Sequence, residues 1–333
     1  MPWRETKDPY AIWVSEIMLQ QTRVETVRAY FTRWMKRLPT VRALAEAPLD
    51  EVLSLWSGLG YYARARNLHA AAGVVVAEDR GVVPRDPVRL RELPGVGDYT
   101  AGAIASIAFD LPEPILDGNV ARILSRIYEI DAPAEAKATR DQLWKLARGL
   151  VPTDAASDFN QAMMELGATV CTPRNPDCLG CPVQGLCRAR ARGRQEELPR
   201  KKLRRPTPTV DRVALVVRDR DHHLLLGRRP PRELWGGLWE PPCVDLAADE
   251  TPLAATKRAA RELGVKPSGL VASPMFVHEL THRRYQFHAF TGRAQGTPRD
   301  RSGAYDEVRW ADEHELAGLG LSAWVRRTLE RAR

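Results

Sequence analysis

Apolar residues recur at helical spacing through the first part of the chain. Trp13-Val14-Ser15-Glu16-Ile17-Met18-Leu19 is one such run, and Val41, Leu44 and Ala45 form another. Leu53, Leu55 and Trp56 follow, and later Val120, Ile123, Leu124 and Ile127. Turn-forming stretches, Leu93-Pro94-Gly95-Val96-Gly97 and Asp117-Gly118-Asn119, separate these runs. The pattern predicts a mainly α domain. Beyond about residue 210 the texture changes. Val213-Ala214-Leu215-Val216-Val217 and Leu224-Leu225-Leu226 are short strand-like runs around a polar Asp219-Arg220-Asp221 turn. A helix is expected from about Pro252 to Leu263, then an alternating strand from Arg284 to Phe290. That is the pattern of a small α+β domain. Between the two textures lies a charged stretch bearing Pro199, Pro206 and Pro208. The expected organisation is a helical domain over 1–187, a linker over 188–209 and an α+β domain over 210–333. No internal repeat is visible.

Composition agrees with two domains. The chain has 333 residues, 44% hydrophobic and 28% charged, enough for two cores and too apolar for a wholly disordered polymer. No apolar run approaches the roughly 18–20 residues that span a bilayer. The start, Met1-Pro2-Trp3-Arg4-Glu5, lacks the apolar core of a secretory signal, so a soluble cytoplasmic protein is expected. The 50 Lys and Arg outnumber the 42 Asp and Glu, and most of the excess is local. Arg188, Arg190, Arg192, Arg194, Arg200, Lys201, Lys202, Arg204 and Arg205 crowd one segment against Glu196 and Glu197. Such a run suits either a polyanion partner or a solvated linker, and charge alone does not choose.

Chemistry narrows the field. Four of the five cysteines, Cys171, Cys178, Cys181 and Cys187, fall in a C-x6-C-x2-C-x5-C pattern. Thiolates this close indicate a metal centre, either zinc or an iron–sulfur cluster. Cys243 stands apart and is expected as a small buried residue. In the stretch Leu93 to Ala101, Gly95 and Gly97 precede a small-residue helix whose first amides point outward, the signature of a helix-hairpin-helix element that grips a DNA phosphate.

Two carboxylates have contrasting surroundings. Glu16 has Ile12, Trp13, Leu19 and Gln20 as its helical neighbours, three of them apolar. Desolvation there raises its pKa, as suits a general acid. Asp117 precedes the Val120–Ile127 stripe and lies at a helix start, which favours negative charge. One protonated and one ionised carboxylate is the arrangement that breaks a glycosidic bond through an oxocarbenium-like state.

These segments together resemble the adenine DNA glycosylases of the helix-hairpin-helix (endonuclease III) superfamily. The resemblance is carried by Trp13 to Thr22, by Gly58-Leu59-Gly60-Tyr61-Tyr62-Ala63-Arg64-Ala65-Arg66-Asn67-Leu68, and by the Leu93 to Ala101 loop. Leu116-Asp117-Gly118-Asn119-Val120, Asn160 to Gly167 and the cysteine spacing complete it, in family order over residues 3–187. It implies a 4Fe-4S cluster on the four cysteines and a flipped adenine held between a six-helix barrel and the cluster domain. Glu16 matches the acid that protonates adenine N7. Asp117, with Asn119 beside it, matches the carboxylate that stabilises the sugar cation. Tyr99 stands where endonuclease III-like lyases carry their Schiff-base lysine, so the resemblance implies a monofunctional glycosylase. Gln161 matches an adenine contact, Gln21 and Tyr61 match residues that wedge into the stack, and Thr22 and Leu59 match contacts to the opposite guanine.

The second domain resembles the Nudix-like domain of the same family. Where a Nudix hydrolase reads R-E-U-x-E-E-x-G, this chain has Lys257-Arg258-Ala259-Ala260-Arg261-Glu262-Leu263-Gly264. Two metal-binding glutamates have become arginine, so pyrophosphate hydrolysis is not expected. Phe276 to His282 resembles a loop that reads 8-oxoguanine, with Leu280-Thr281-His282 in place of the usual Phe-Ser-His. Thr281 and His282 are the expected contacts. The family carries a further helix before the segment matching Trp3-Arg4-Glu5. Two expectations follow: a record starting at an internal methionine, or a chain that dispenses with the helix. The expected substrate is duplex DNA with adenine opposite 8-oxoguanine or guanine, bound by a monomer away from membranes, with the linker open to other repair or replication proteins. The rivals are a lyase for oxidised pyrimidines and a non-catalytic DNA-binding protein.

Overall fold

Helix-forming runs between Pro9 and Thr169 fold into ten helices in the computed structural model, which describes residues 1–200 and 206–331. They are α1 (Pro9–Leu19), α2 (Val24–Arg37), α3 (Val41–Glu46), α4 (Leu49–Trp56), α5 (Ala63–Glu78), α6 (Pro87–Glu92), α7 (Asp98–Phe109), α8 (Gly118–Ile127), α9 (Lys137–Leu150) and α10 (Ala156–Thr169). A short α11 (Arg188–Ala191) follows. The rest is a sheet with three helices: β1 (Thr209–Arg218), β2 (Leu224–Arg228), β3 (Trp239–Glu240), β4 (Cys243–Asp245), α12 (Pro252–Glu262), β5 (Lys266–Ala272), β6 (Phe276–Glu279), β7 (Arg284–Gln295), β8 (Glu307–Ala311), α13 (Glu313–Gly318) and α14 (Ala323–Arg331). Among the described residues, no helix is long and apolar enough to cross a membrane.

Two compact units emerge, and the division does not follow the chain simply. One comprises Met1–Ala45 with Ala70–Arg204, the other Glu46–His69 with Arg205–Arg333. In the first, α1 starts cleanly because Asp8 caps it, accepting from the Tyr10 amide at 3.0 Å, and Pro9 fits the first helical position. It is apolar on every side apart from Ser15 and Glu16, and Tyr10 through Met18 are buried. Ile12 joins Ala103, Ile107, Ile115, Val120, Leu124 and Leu143 in the core. α7 packs closely because Gly102 carries no side chain: a Cβ there would lie 2.2 Å from the Pro114 carbonyl oxygen.

In the second unit the sheet runs β3-β2-β1-β7-β5, with β4 on β1, β6 on β7 and β8 on β2. β1 and β7 are parallel, from Thr209 opposite Arg284 to Arg218 opposite Arg293, and the other pairs are antiparallel. Leu215, Val217 and Leu225 pack with Ala260 and Leu263 of the α12 segment. α14 stacks Trp324 on Phe287, ring centroids 4.2 Å apart. Residues 46–69 are tied in by polar bonds: Ser57 Oγ and Tyr62 OH donate to the Leu321 carbonyl, and Arg66 Nη1 donates to that of Gly236.

The stretch expected as a linker begins as ordered structure. α11 opens it, Arg194 pairs with Glu129 and Asp131, and Arg200 pairs with Asp131 as well. Attraction to those two acids holds the segment on the helical unit, with Asp131 pushed down to about 2 by hydrogen bonds from Arg200 and Arg194. Lys201, Lys202, Arg204 and Arg205 lie outside the described residues. Cys243 is buried, as expected of it, yet it is not surrounded by apolar groups. Its Sγ lies 3.0 Å from Glu240 Oε1 and 3.3 Å from Arg229 Nη2.

Candidate active site

Glu16 projects from the middle of α1 and is 5% exposed. Burial drives its carboxyl up to about 7; the bond from Tyr99 and the charge of Arg4 pull the other way, and that of Asp117 adds to the rise. Tyr99, at the second position of α7, donates its hydroxyl to Glu16 Oε2 at 2.7 Å. Burial and the neighbouring Glu16 hold that phenol well above its usual range, so it remains a donor. Asp117 caps α8, its Oδ1 accepting from the Val120 amide at 2.7 Å. The cap uses one oxygen of this carboxylate.

A single cavity of about 990 Å³ brings these groups together. Glu16, Tyr99, Asp117, Asn119 and Gln161 line it, with Gln21, Thr22, Gly95 and Gly97 around its border. Such a volume matches a small-molecule site rather than a packing defect. Gly95, at φ +77°, takes a turn open to glycine, and Gly97 caps α7. Gln21 holds φ +57° and Tyr61 φ +48°, left-handed conformations uncommon for such side chains. Both were singled out as wedges. Tyr61 is 45% exposed, whereas Leu59 is buried and its carbonyl accepts from Arg64. Leu59 and Tyr61 belong to the second unit, as do Thr281 and His282, which are exposed at the tip of the β6–β7 hairpin. Within that unit Arg258, at a Nudix glutamate position, pairs with Glu250 and Glu262.

Sequence reasoning overlooked two arginines on α8. Arg122 donates from Nη2 to Asn119 Oδ1 at 2.9 Å and to the Gly167 carbonyl, and from Nε to the carbonyl of Cys171 at 2.7 Å. Arg126, 2% exposed, donates to Cys171 Sγ, to the Thr172 carbonyl and to the Leu198 carbonyl. The available signal was their i, i+4 spacing beside an apolar stripe. Arg4, paired with Glu165 at 2.9 Å, also lines the cavity.

The four cysteines face a common cavity with Arg126, Arg190 and Gln195. Desolvation raises the Cys178 thiol, and its cysteine neighbours add to the rise, so the set favours thiolates only with a cationic group among them. Among the described residues, the one group with three ligand atoms mutually within 4.8 Å is Asp219, Asp221 and His223. Four cysteine sulfurs face one cavity, and Arg126 Nη1 donates to that of Cys171. That donor set fits a polynuclear iron–sulfur cluster, and the protein is a 4Fe-4S protein.

The fold and site define a helix-hairpin-helix DNA-repair glycosylase. Residues 14–148 match the HhH-GPD superfamily of base excision DNA repair proteins, 171–187 match the iron-sulfur binding domain of endonuclease III, and 213–331 match the NUDIX domain. The chain is 38% identical to the adenine DNA glycosylase of Rattus norvegicus over 98% of its own length and 74% of the rat protein. With the Homo sapiens adenine DNA glycosylase it shares 49% identity over 71% of its length, spanning 44% of that protein. A thermostable thymine-DNA glycosylase superimposes with TM-score 0.53 and 31% identity over 58% of this chain and 88% of its own. A trapped endonuclease III–DNA covalent intermediate gives 0.50 and 25%, over 56% and 86%. The chain belongs to the adenine DNA glycosylase family.

Proposed function

We propose that the protein hydrolyses the N-glycosidic bond of adenine mispaired with 8-oxoguanine or guanine in duplex DNA. The carrying observation is Glu16: a buried carboxyl near half-protonated at neutral pH, donor-bound to Tyr99 and sharing a cavity with Asp117. An adenine extruded into this cavity meets an acid at its ring nitrogen. Proton transfer from Glu16 to N7 makes the base a neutral leaving group. The C1′–N9 electron pair departs with adenine, and Asp117, at the positive end of α8, faces the positive charge left on the sugar. Water then adds at C1′ and loses its proton to the ionised Glu16, which restores the acid. Gln161, which donates to Ser157 Oγ, presents an amide to the base. Asn119, fixed by Arg122, orients beside Asp117.

Tyr99 fills the position from which a lysine would attack C1′, and a phenol forms no imine. The reaction therefore ends at an abasic site. Cys171, Cys178, Cys181 and Cys187 would hold the 4Fe-4S cluster, and Arg122 and Arg126 tether Cys171 to α8, whose start carries Asp117. Thr281 and His282 supply hydroxyl and imidazole for the opposite base. The test is a labelled duplex with adenine opposite 8-oxoguanine. A break appearing only after alkali supports the reading. A break without alkali, or one trapped by borohydride, points to a lyase, and no break in either lane refutes adenine excision.

A further inference from the structure

The β6–β7 hairpin is flanked along β6 by cations that form no ion pair. β6 pairs with β7 on one side only. Its other side is met by α14, whose Arg327 and Arg331 stand one helical turn apart. Arg327 Nη1 donates to the Val277 carbonyl at 3.1 Å and Arg331 Nη1 to that of Pro274 at 3.4 Å. Both guanidiniums also lie over the Phe276 ring, at 5.7 and 5.2 Å. Each side chain is exposed, and each has five N–H donors, of which one is committed here. Arg283, at the tip, donates to the Tyr285 hydroxyl. Among the described residues, none of these three arginines is within ion-pair reach of a carboxylate, unlike Arg212, Arg228, Arg229, Arg258 and Arg309 of the same unit. Arg327's charge reaches the half-buried His278 imidazole, which burial and that charge hold below its usual range.

A fixed pair of guanidiniums with free donors and no ion pair, even to Glu330 of the same helix, is a receptor for an anion, and its spacing along a helix suits a repeating one. We propose that Arg327 and Arg331 bind successive backbone phosphates of the DNA strand whose base the Leu280-Thr281-His282 tip reads. The partner is duplex DNA. This rests on the hairpin's reading role for the choice of strand, but not for the existence of the phosphate contact. The bonds to Pro274 and Val277 fix the guanidiniums before DNA arrives, so the contact sets the register of the tip without itself reading sequence.

The test is the salt dependence of binding by the full-length protein. Dissociation constants for an undamaged duplex and for one with adenine opposite 8-oxoguanine are measured from low to moderate salt. Each phosphate contact contributes about 0.9 to the slope of log K against log salt. Arg327→Gln with Arg331→Gln should make the slope shallower by about 1.8, equally on both duplexes. Arg327→Lys with Arg331→Lys keeps the charge and should keep most of the slope. An unchanged slope in the folded double Gln variant overturns the proposal. So does a loss in the double Lys variant as large as in the double Gln one, which assigns these arginines to the packing of α14. If the double Gln variant does not fold, Arg331→Gln decides, with a drop of about 0.9 expected and no drop refuting. Failure of Thr281 or His282 variants to alter 8-oxoguanine preference would overturn the reading role alone, because the undamaged duplex reports the phosphate contact without it.

Discussion

Two glutamates are almost completely buried, one in each unit, and they are built in opposite ways. Glu240, 1% exposed, accepts from Arg229 Nε at 2.6 Å and from the Tyr305 hydroxyl at 3.2 Å. Glu16 is nearly as buried but has a phenol where Glu240 has a guanidinium. A carboxylate bonded to a buried guanidinium holds structure. A carboxyl given only a neutral donor keeps its proton into the neutral range, ready to give it away. The difference between the two glutamates lies in the partner, not in the depth.

Removing the proton donor should produce the largest effect. Glu16→Gln should slow single-turnover adenine release by about 10²–10⁴-fold, the usual worth of a general acid. A rate within a factor of a few of the parent would erase the distinction between the two glutamates. The counterpart is Glu240→Ala, which leaves Arg229 buried without its close partner. A loss of about 3–5 kcal/mol is expected, read as an earlier urea transition of the sheet unit. If that transition does not move, the Arg229–Glu240 pair is not holding the fold.

The next effect tests Glu16 from the stability side. Its folded pKa lies above the ordinary value near 4.5, so the folded protein keeps a proton that the unfolded chain releases between about 4.5 and about 7. Stability of the parent therefore falls as pH rises through that window and stays lower above it. Glu16→Gln, with no proton to lose, should be more stable than the parent at pH 8, by up to about 3 kcal/mol, and no different at pH 4. Melting curves at the two pH values check this. The rate carries the same sign: excision by the parent should fall about tenfold per pH unit above about 7 as the acid empties. A flat alkaline limb would refute it. The smallest change concerns Asp117→Asn. Asparagine caps a helix as well as aspartate does, so the melting temperature should barely move, within about 0.5 kcal/mol. Excision should still drop, because the charge facing the sugar is gone. A large loss of stability would show that the cap, and not the charge, is the reason for the residue.

Much of this contrast was legible in the sequence, for identifiable reasons. Apolar neighbours on a helix announced the buried Glu16, and the position before Gly118-Asn119 announced the cap at Asp117, since both are local relations. The cysteine spacing was equally local. Arg122 and Arg126 were not legible, because arginines on an amphipathic helix ordinarily face solvent, and their burial is made tolerable by acceptors brought in by the fold, the Gly167, Cys171, Thr172 and Leu198 carbonyls among them. The docked segment after Cys187 was hidden for the same reason. A run of arginines looks solvated until Glu129 and Asp131 are brought beside it by the fold. Glu240 gave no signal at all, since its partner Arg229 lies across a hairpin and its depth depends on the whole sheet.

One bond ties the order of synthesis to the shape of the sheet unit. The Tyr62 hydroxyl and the Leu321 carbonyl it holds are 259 residues apart. At cellular elongation rates, on the order of ten to fifty seconds separate their emergence from the ribosome. Through that interval α4 and the start of α5 have no completed sheet to join. Val52, Leu53 and Trp56, all buried in the finished protein, then form an apolar face in waiting on the nascent chain. The sheet unit is thus committed to a late closure, in which Leu321 covers a surface made 259 residues earlier.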